Sequence, residues 1–305
     1  RMRMDIPIAT AGGQPITGLV RGNFMPGANA TVGGAAQMTI VAGDAQTDTV
    51  GQTLPAPLTV RVTDAFNNPV AGVPIGWTVI DGGGTVNPPT ATTNASGIAT
   101  TSWTLGTATT PADSIQQVQA SGVASPLTFT AFTVPEAVSG AQTIVAATPG
   151  TIRASNGSSA TAITVTVRDQ YGNVIEGKTV TLAVTGTGNI VPPPAGPTDP
   201  NGAATGTLSS TAAETKTVSA RVDTQLMAQT AAVTVTPALV SSALSSVSAT
   251  SPIASGTGTS TITVTGRDAF GNLIPGATVV LTATGTGNTL NQPSGPTNAL
   301  GVATG

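Results

Sequence analysis

Val167-Arg-Asp-Gln-Tyr-Gly-Asn-Val-Ile-Glu-Gly177 is one of three copies of a single pattern. The first copy is Val62-Thr-Asp-Ala-Phe-Asn-Asn-Pro-Val-Ala-Gly72, and the third is Gly266-Arg-Asp-Ala-Phe-Gly-Asn-Leu-Ile-Pro-Gly276. A second block follows each: Thr93-Asn-Ala-Ser-Gly-Ile-Ala-Thr100, Thr198-Asp-Pro-Asn-Gly-Ala-Ala-Thr205 and Thr297-Asn-Ala-Leu-Gly-Val-Ala-Thr304. Asp64 precedes Thr93, Asp169 precedes Thr198 and Asp268 precedes Thr297 by the same 29 positions. Two blocks in register exclude a chance of composition. The copies lie 105 and then 99 positions apart. Solenoid repeats span ~20–50 residues, so a period this long makes each copy a whole domain.

Outward from the first block, the flanks alternate. Leu58, Val60 and Val62 alternate with Thr59, Arg61 and Thr63, and Ile163, Val165 and Val167 repeat the pattern. That period of two marks a half-buried strand. The block itself reads as a turn, because Asp and Asn cap their own backbone and Asn tolerates positive φ. Further strands are expected over Met38–Ala42, Pro74–Ile80, Ile98–Leu105, Ile115–Ala120 and Leu127–Val134. The second copy predicts strands over 179–184, 203–208, 217–222 and 231–235, and the third over 261–265 and 279–283. Pro192-Pro-Pro194 marks an exposed edge or loop. Strands at ~8–12-residue spacing with turns between them are the pattern of a β-sandwich. The expected domains are 36–135, 136–237 and 238–305. The last should be incomplete: the first two domains carry about 30 further residues after the second block, which supply the final two strands. A continuation of the natural chain beyond Gly305, rather than a partner strand, is expected to complete it.

Composition agrees. Of 305 residues only 8% are charged and 3% aromatic, while 37 Gly and 23 Pro punctuate a chain rich in Thr, Ala and Val. β-Branched residues favour strands. A net charge of −3 excludes a general nucleic-acid binder, which needs clustered Lys and Arg. Cys and His are both absent. Ser-His-Asp and Cys-His catalysis are therefore impossible, and zinc or copper would lack its usual ligands. No phosphate-cradling Gly-rich loop ending in Lys-Ser/Thr is present, and the acids are scattered singly, which gives no carboxylate pair. No enzyme, cofactor or metal is expected.

Two weaker signals have two readings each. Asp64, Asp169 and Asp268 sit beside Asn in turns and present oxygens suited to Ca²⁺, or they form Asx turns. The turn is favoured, since Ca²⁺ takes six or more oxygens and each loop offers about two. Trp77 and Trp103 either stack on sugars or fill the core. The core is favoured, because both lie among apolar neighbours in strand patterns.

Residues 1–35 break every period with Gly12-Gly13, Pro15, Gly18, Gly22, Pro26-Gly27 and Gly33-Gly34. They read as an extended N-terminal arm: a loose terminus, or a docking arm. As a docking arm it would use Ile6, Ile8, Leu19, Phe24 and Met25 for apolar area, and Arg1, Arg3 and Arg21 for acidic groups or lipid headgroups.

The blocks resemble those of bacterial Ig-like domains of the invasin and intimin type. The resemblance rests on Val167-x-Asp169-x-x-Gly172-Asn173-x-Ile175-x-Gly177 and on Thr93-Asn-Ala-Ser-Gly97-Ile-Ala-Thr-Thr-Ser-Trp103-Thr-Leu105, and it covers roughly residues 36–305. It implies tandem Ig-like sandwiches, an all-β fold, used as stalks of surface adhesins, virion decorations or extrinsic envelope subunits. Asn67 departs from the pattern, standing where the other copies have Gly172 and Gly271, but Asn also suits a left-handed turn position.

The leading expectation is a non-enzymatic structural protein outside the cytoplasm, in the periplasm or at the cell surface. It would be membrane-associated without spanning the membrane. Its modules would brace or decorate a larger envelope assembly, such as a membrane protein complex, docked by the arm through protein contacts and lipid headgroups. The alternatives are the stalk of a bacterial surface adhesin and a phage virion decoration protein. A carbohydrate-binding appendage is disfavoured by the scarcity of aromatics.

Overall fold

A computed structural model describes residues 33–109, 114–123, 125–250 and 258–305. The described residues form strands, turns and loops, with no helix among them. The first unit holds β1 (Gln37–Ala42), β2 (Gln46–Thr49), β3 (Leu58–Thr63), β4 (Pro74–Asp81), β5 (Gly84–Asn87), β6 (Thr90–Thr92), β7 (Ile98–Leu105), β8 (Ile115–Ser121) and β9 (Leu127–Val134). They make two sheets, ordered β1-β3-β7-β5 and β2-β9-β8-β4-β6. The chain changes sheets at once: β1 pairs antiparallel with β3, whereas β2 pairs parallel with β9. The alternation at Leu58, Val60 and Val62 is read by burial, for all three are fully enclosed. Trp77 and Trp103 are core residues, and the Trp77 ring lies 5.6 Å from that of Phe129. With both indoles inside the sandwich, no aromatic platform for sugars forms from them.

The second unit repeats the plan with β10 (Ile144–Thr148), β11 (Thr151–Arg153), β12 (Thr161–Thr166), β13 (Val180–Val184), β14 (Asn189–Ile190), β15 (Ala203–Ser210), β16 (Thr215–Val222) and β17 (Gln225–Thr236). Its sheets are β10-β12-β15-β14 and β11-β17-β16-β13, closed over a core that includes Ile163, Val165, Leu208, Val218 and Val233. Pro192–Pro194 lie outside any strand.

The third unit contains β18 (Ser246–Ala249), β19 (Ile262–Thr265) and β20 (Val302–Thr304), in one sheet ordered β18-β19-β20. The strand expected over 279–283 does not form. The reason is pairing: its counterpart β13 bonds only to β16, and the described residues of 238–305 hold no equivalent of β16. The Gln292 carboxamide takes the place of the missing ladder at one residue, accepting from the Leu281 N–H at 2.8 Å and donating to its carbonyl at 2.9 Å.

The 29-residue spacing has a mechanical cause. The Thr that opens each second block is buried and stitches the end of the first block. Thr198 Oγ1 donates to the Ile175 carbonyl at 2.7 Å and accepts from the Lys178 N–H at 2.9 Å. Thr93 does the same with Val70 and Val73, and Thr297 with Ile274 and Ala277. Four residues further on, Gly97, Gly202 and Gly301 adopt φ of 73°, 71° and 67°. A Cβ on Gly97 would lie 2.4 Å from the Val62 carbonyl oxygen, so only Gly fits that crossing.

Candidate functional site: the joints between repeats

Each Asp of the first block builds its own turn. Asp169 Oδ1 accepts from the N–H groups of Tyr171 and Asn173, both at 2.9 Å. Oδ2 accepts from Asn173 Nδ2 at 2.7 Å and from the N–H of Glu136, in the linker, at 3.1 Å. Asp64 and Asp268 have the same four donors: Phe66, Asn68 twice and Gly33 in one, Phe270, Asn272 twice and Ala238 in the other. Four N–H donors occupy both oxygens of each carboxylate, so the carboxylates are engaged in their own turns. These are Asx turns with an added linker clamp. Among the described residues, no group of three or more His, Cys, Asp or Glu side chains is placed to hold a metal.

The electrostatics follow from the same bonds. The Asn68 carboxamide, followed by backbone N–H groups, lowers the Asp64 pKa to about 2 against the pull of burial. At Asp268, burial pushes upward, but the Asn272 carboxamide and three backbone N–H groups outweigh it and the pKa is lowered. All three carboxylates are essentially buried.

The Asn of the block reaches further. Asn173 Oδ1 accepts from the Thr109 N–H at 2.9 Å, and its Nδ2 donates to the Thr107 carbonyl at 2.8 Å. Thr107 and Thr109 belong to the loop after β7, in the preceding unit. Asn272 repeats this on the loop after β15, accepting from Ala213 N–H at 3.0 Å and donating to the Thr211 carbonyl at 2.8 Å. In both joints the carboxamide pairs with a carbonyl at position i and an N–H at i+2, as a neighbouring strand would. The linkers are fastened alike: Ser139 N–H donates to the Arg168 carbonyl at 2.8 Å, and Ser241 N–H to that of Arg267 at 2.7 Å. Arg168 and Arg267 each donate through Nη1 to the turn carbonyl of Gly172 or Gly271. At the first joint the Tyr171 hydroxyl lies beside Gly51 of the preceding unit. One turn therefore clamps linker, neighbour and itself.

Arg1, Arg3, Ile6, Ile8, Leu19, Arg21, Phe24 and Met25, the candidate partner-binding residues of the arm, lie outside the described residues. Among the described residues, those that join units are Asn173 and Asn272, which the sequence marks only as turn formers. Their signal was present in the threefold Asn of the block, but its reach across a unit boundary was not.

This geometry defines a class: tandem Ig-like β-sandwiches locked end to end by a repeated turn. The chain belongs to the family of bacterial Ig-like domains (group 1), whose model matches residues 54–131, 142–236 and 243–305. Among solved structures it is similar to FdeC, an adhesin of Escherichia coli, at 25% identity and a TM-score of 0.56, covering 88% of this chain and 87% of that one. It is also similar to invasin, a bacterial integrin-binding protein, at 24% identity and a TM-score of 0.46, covering 79% of this chain and 48% of that one. InvD of Yersinia pseudotuberculosis is 22% identical with a TM-score of 0.49, covering 78% of this chain and 72% of that one. No curated protein sequence matches the chain. The chain is thus an array of bacterial Ig-like repeats, and no helix among the described residues is long and apolar enough to cross a membrane.

Proposed function

We propose that these repeats form a non-enzymatic, stiff spacer in a bacterial surface protein of the adhesin type, working outside the cytoplasm. The observation that carries this reading is the twofold repetition of the Asn joint. A flexible tether would need no side chain dedicated to fixing one unit on the next, whereas a spacer that holds a binding part at a set distance does. The similarity to an adhesin over most of both chains supports the same reading. In small-angle scattering, the Asn173→Ala/Asn272→Ala double variant is expected to lose the fixed maximum dimension of the parent while its units stay folded. An unchanged scattering curve would show that the Asn joint does not set that dimension and would remove the observation on which the spacer reading rests. Antibody binding to intact cells tests the location, and a signal seen only after lysis removes the surface assignment.

The second reading is a scaffold that braces a larger envelope assembly through the arm. It is favoured by the arm's composition, with Arg1, Arg3 and Arg21 among apolar residues and against the single acid Asp5 in residues 1–24. Deleting residues 1–30 would then leave the units folded and abolish co-purification with that assembly on a native gradient.

A further inference from the structure

The joint turn is present three times and is joined to a preceding unit twice. At the first copy, the pole of the first unit, the Asp–Asn bonds of the turn are all made, although Thr63 stands where Arg168 and Arg267 donate to the turn carbonyl. Asn68 Nδ2 donates to Asp64 Oδ2 at 3.0 Å, which holds the carboxamide as Asn173 and Asn272 are held. The chain also enters on the linker path. Gly33 N–H donates to Asp64 Oδ2 at 3.0 Å, where Glu136 and Ala238 stand in the joints. Three residues on, Ala36 N–H donates to the Thr63 carbonyl at 2.9 Å, the register of Ser139 and Ser241. The larger difference lies outside. Among the described residues, nothing pairs with the outer edge of the Asn68 carboxamide. Phe66 is 83% exposed, whereas its counterparts Tyr171 and Phe270 are 46% and 41% exposed.

From this we infer that the pole is a docking site for residues 1–32 of the same chain, laid over Phe66 with an extended stretch paired to Asn68. The inference rests on the joint chemistry proposed above. That chemistry asks its partner for one carbonyl and the N–H two residues later, with apolar side chains alongside. Any extended segment supplies the backbone pair. Residues 1–32 supply Ile6, Ile8, Ile16, Leu19, Val20, Phe24 and Met25, and a stretch below ~40 residues rarely builds a core of its own. The tether at Gly33 delivers this segment to the pole at an effective concentration on the order of millimolar. A preceding Ig-like repeat fits less well. In both joints two positions separate the last strand from the clamped linker residue: Val134 from Glu136 and Thr236 from Ala238. The same spacing would end a strand at Thr31, yet residues 24–31 read Phe-Met-Pro-Gly-Ala-Asn-Ala-Thr and carry Pro26-Gly27 where β9 and β17 run unbroken.

Limited trypsin digestion of the full chain tests this, read by mass spectrometry as cleavage after Arg21. In the parent that cut is expected to be slow. Phe66→Ala and Asn68→Ala are each expected to speed it roughly tenfold, the effect of losing the apolar cover or two hydrogen bonds. Equal rates in the parent and Phe66→Ala overturn the proposal. Phe66 is exposed, so its replacement leaves the unit folded, and the near-ultraviolet signal of Trp77 and Trp103 checks this; it keeps the test valid even where Asn68→Ala loosens the turn. Sedimentation at several concentrations separates the remaining occupant. Association that Phe66→Ala abolishes would assign the pole to a second copy and overturn docking by the arm. Neither result depends on whether Asn173 and Asn272 stiffen the array, which scattering of their own variants decides.

Discussion

In the second unit seventeen buried residues form one core between two sheets, whereas in residues 238–305 the buried apolar side chains are Leu281 and Ala303 among the described residues. Yet Asp268 and Thr297 are as enclosed as Asp169 and Thr198, and their hydrogen bonds match one for one. The turn, the Thr stitch and the joint therefore form without a closed sandwich around them. They are local assemblies of side chains on backbone. The core is not, because it needs strands from both sheets. The difference separates what holds a unit together from what holds units to one another.

The sharpest way to break that comparison is to cut the core at equivalent positions. Ile163→Ala empties a fully buried site and is expected to destabilise the second unit by about 2–5 kcal/mol. Ile262→Ala, half-buried at the same place in β19, should have an effect of about 1 kcal/mol or less. Denaturant titration followed by hydrogen exchange assigns each loss to its unit; equal losses would mean that the third unit has a core of its own.

Next come the turns, where the two units should behave alike. Asp169→Ala and Asp268→Ala each strand four N–H donors and are expected to destabilise their own units by about 3 kcal/mol. A silent Asp268→Ala would show that the turn needs the closed core after all. Asn173→Ala removes two hydrogen bonds between units, worth about 1 kcal/mol each. The expected outcome is two folded units with a broadened distance distribution between spin labels placed on them. A distribution as narrow as the parent's would mean that Tyr171 and the linker suffice.

The smallest effect is that of acid. The folded pKa of Asp64 is depressed, so its contribution is present above the ordinary value of 3.8 and is lost as pH falls toward about 2. Asp268 contributes with the same sign. The thermal midpoint should stay level from neutral pH down to about pH 5 and decline below about pH 4. A carboxyl titration of Asp64 centred near 3.8 would contradict the hydrogen-bond network that surrounds it.

Much of the fold was legible in residues. Leu58, Val60 and Val62 announced a strand because burial on one face forces a period of two, and the same rule found β4, β7, β8 and β9. The rule failed at 279–283, where Val279-Val-Leu-Thr-Ala283 has strand propensity but no neighbour to bond. It also missed Lys216, a cation with its side chain fully enclosed in β16. Its ammonium donates to the Thr187 carbonyl at 2.6 Å and to Glu214, and the bond from Lys216 lowers the Glu214 pKa. Sequence alone places a lysine in water, because only a folded loop can offer the acceptors that replace it.

The amino-acid sequence by itself determined the repeat, the turn at each Asp and the all-β class. These depend on contacts within a few residues or on a period along the chain. Tertiary structure alone decided that Thr198 stitches Ile175 to Lys178, that Asn173 clasps Thr107 and Thr109, and that Phe66 stands bare where Tyr171 and Phe270 do not. Asn173 and Thr109 are 64 positions apart. No local preference reaches across that distance, and only two folded units, set end to end, bring a carboxamide to the one carbonyl and N–H that complete it.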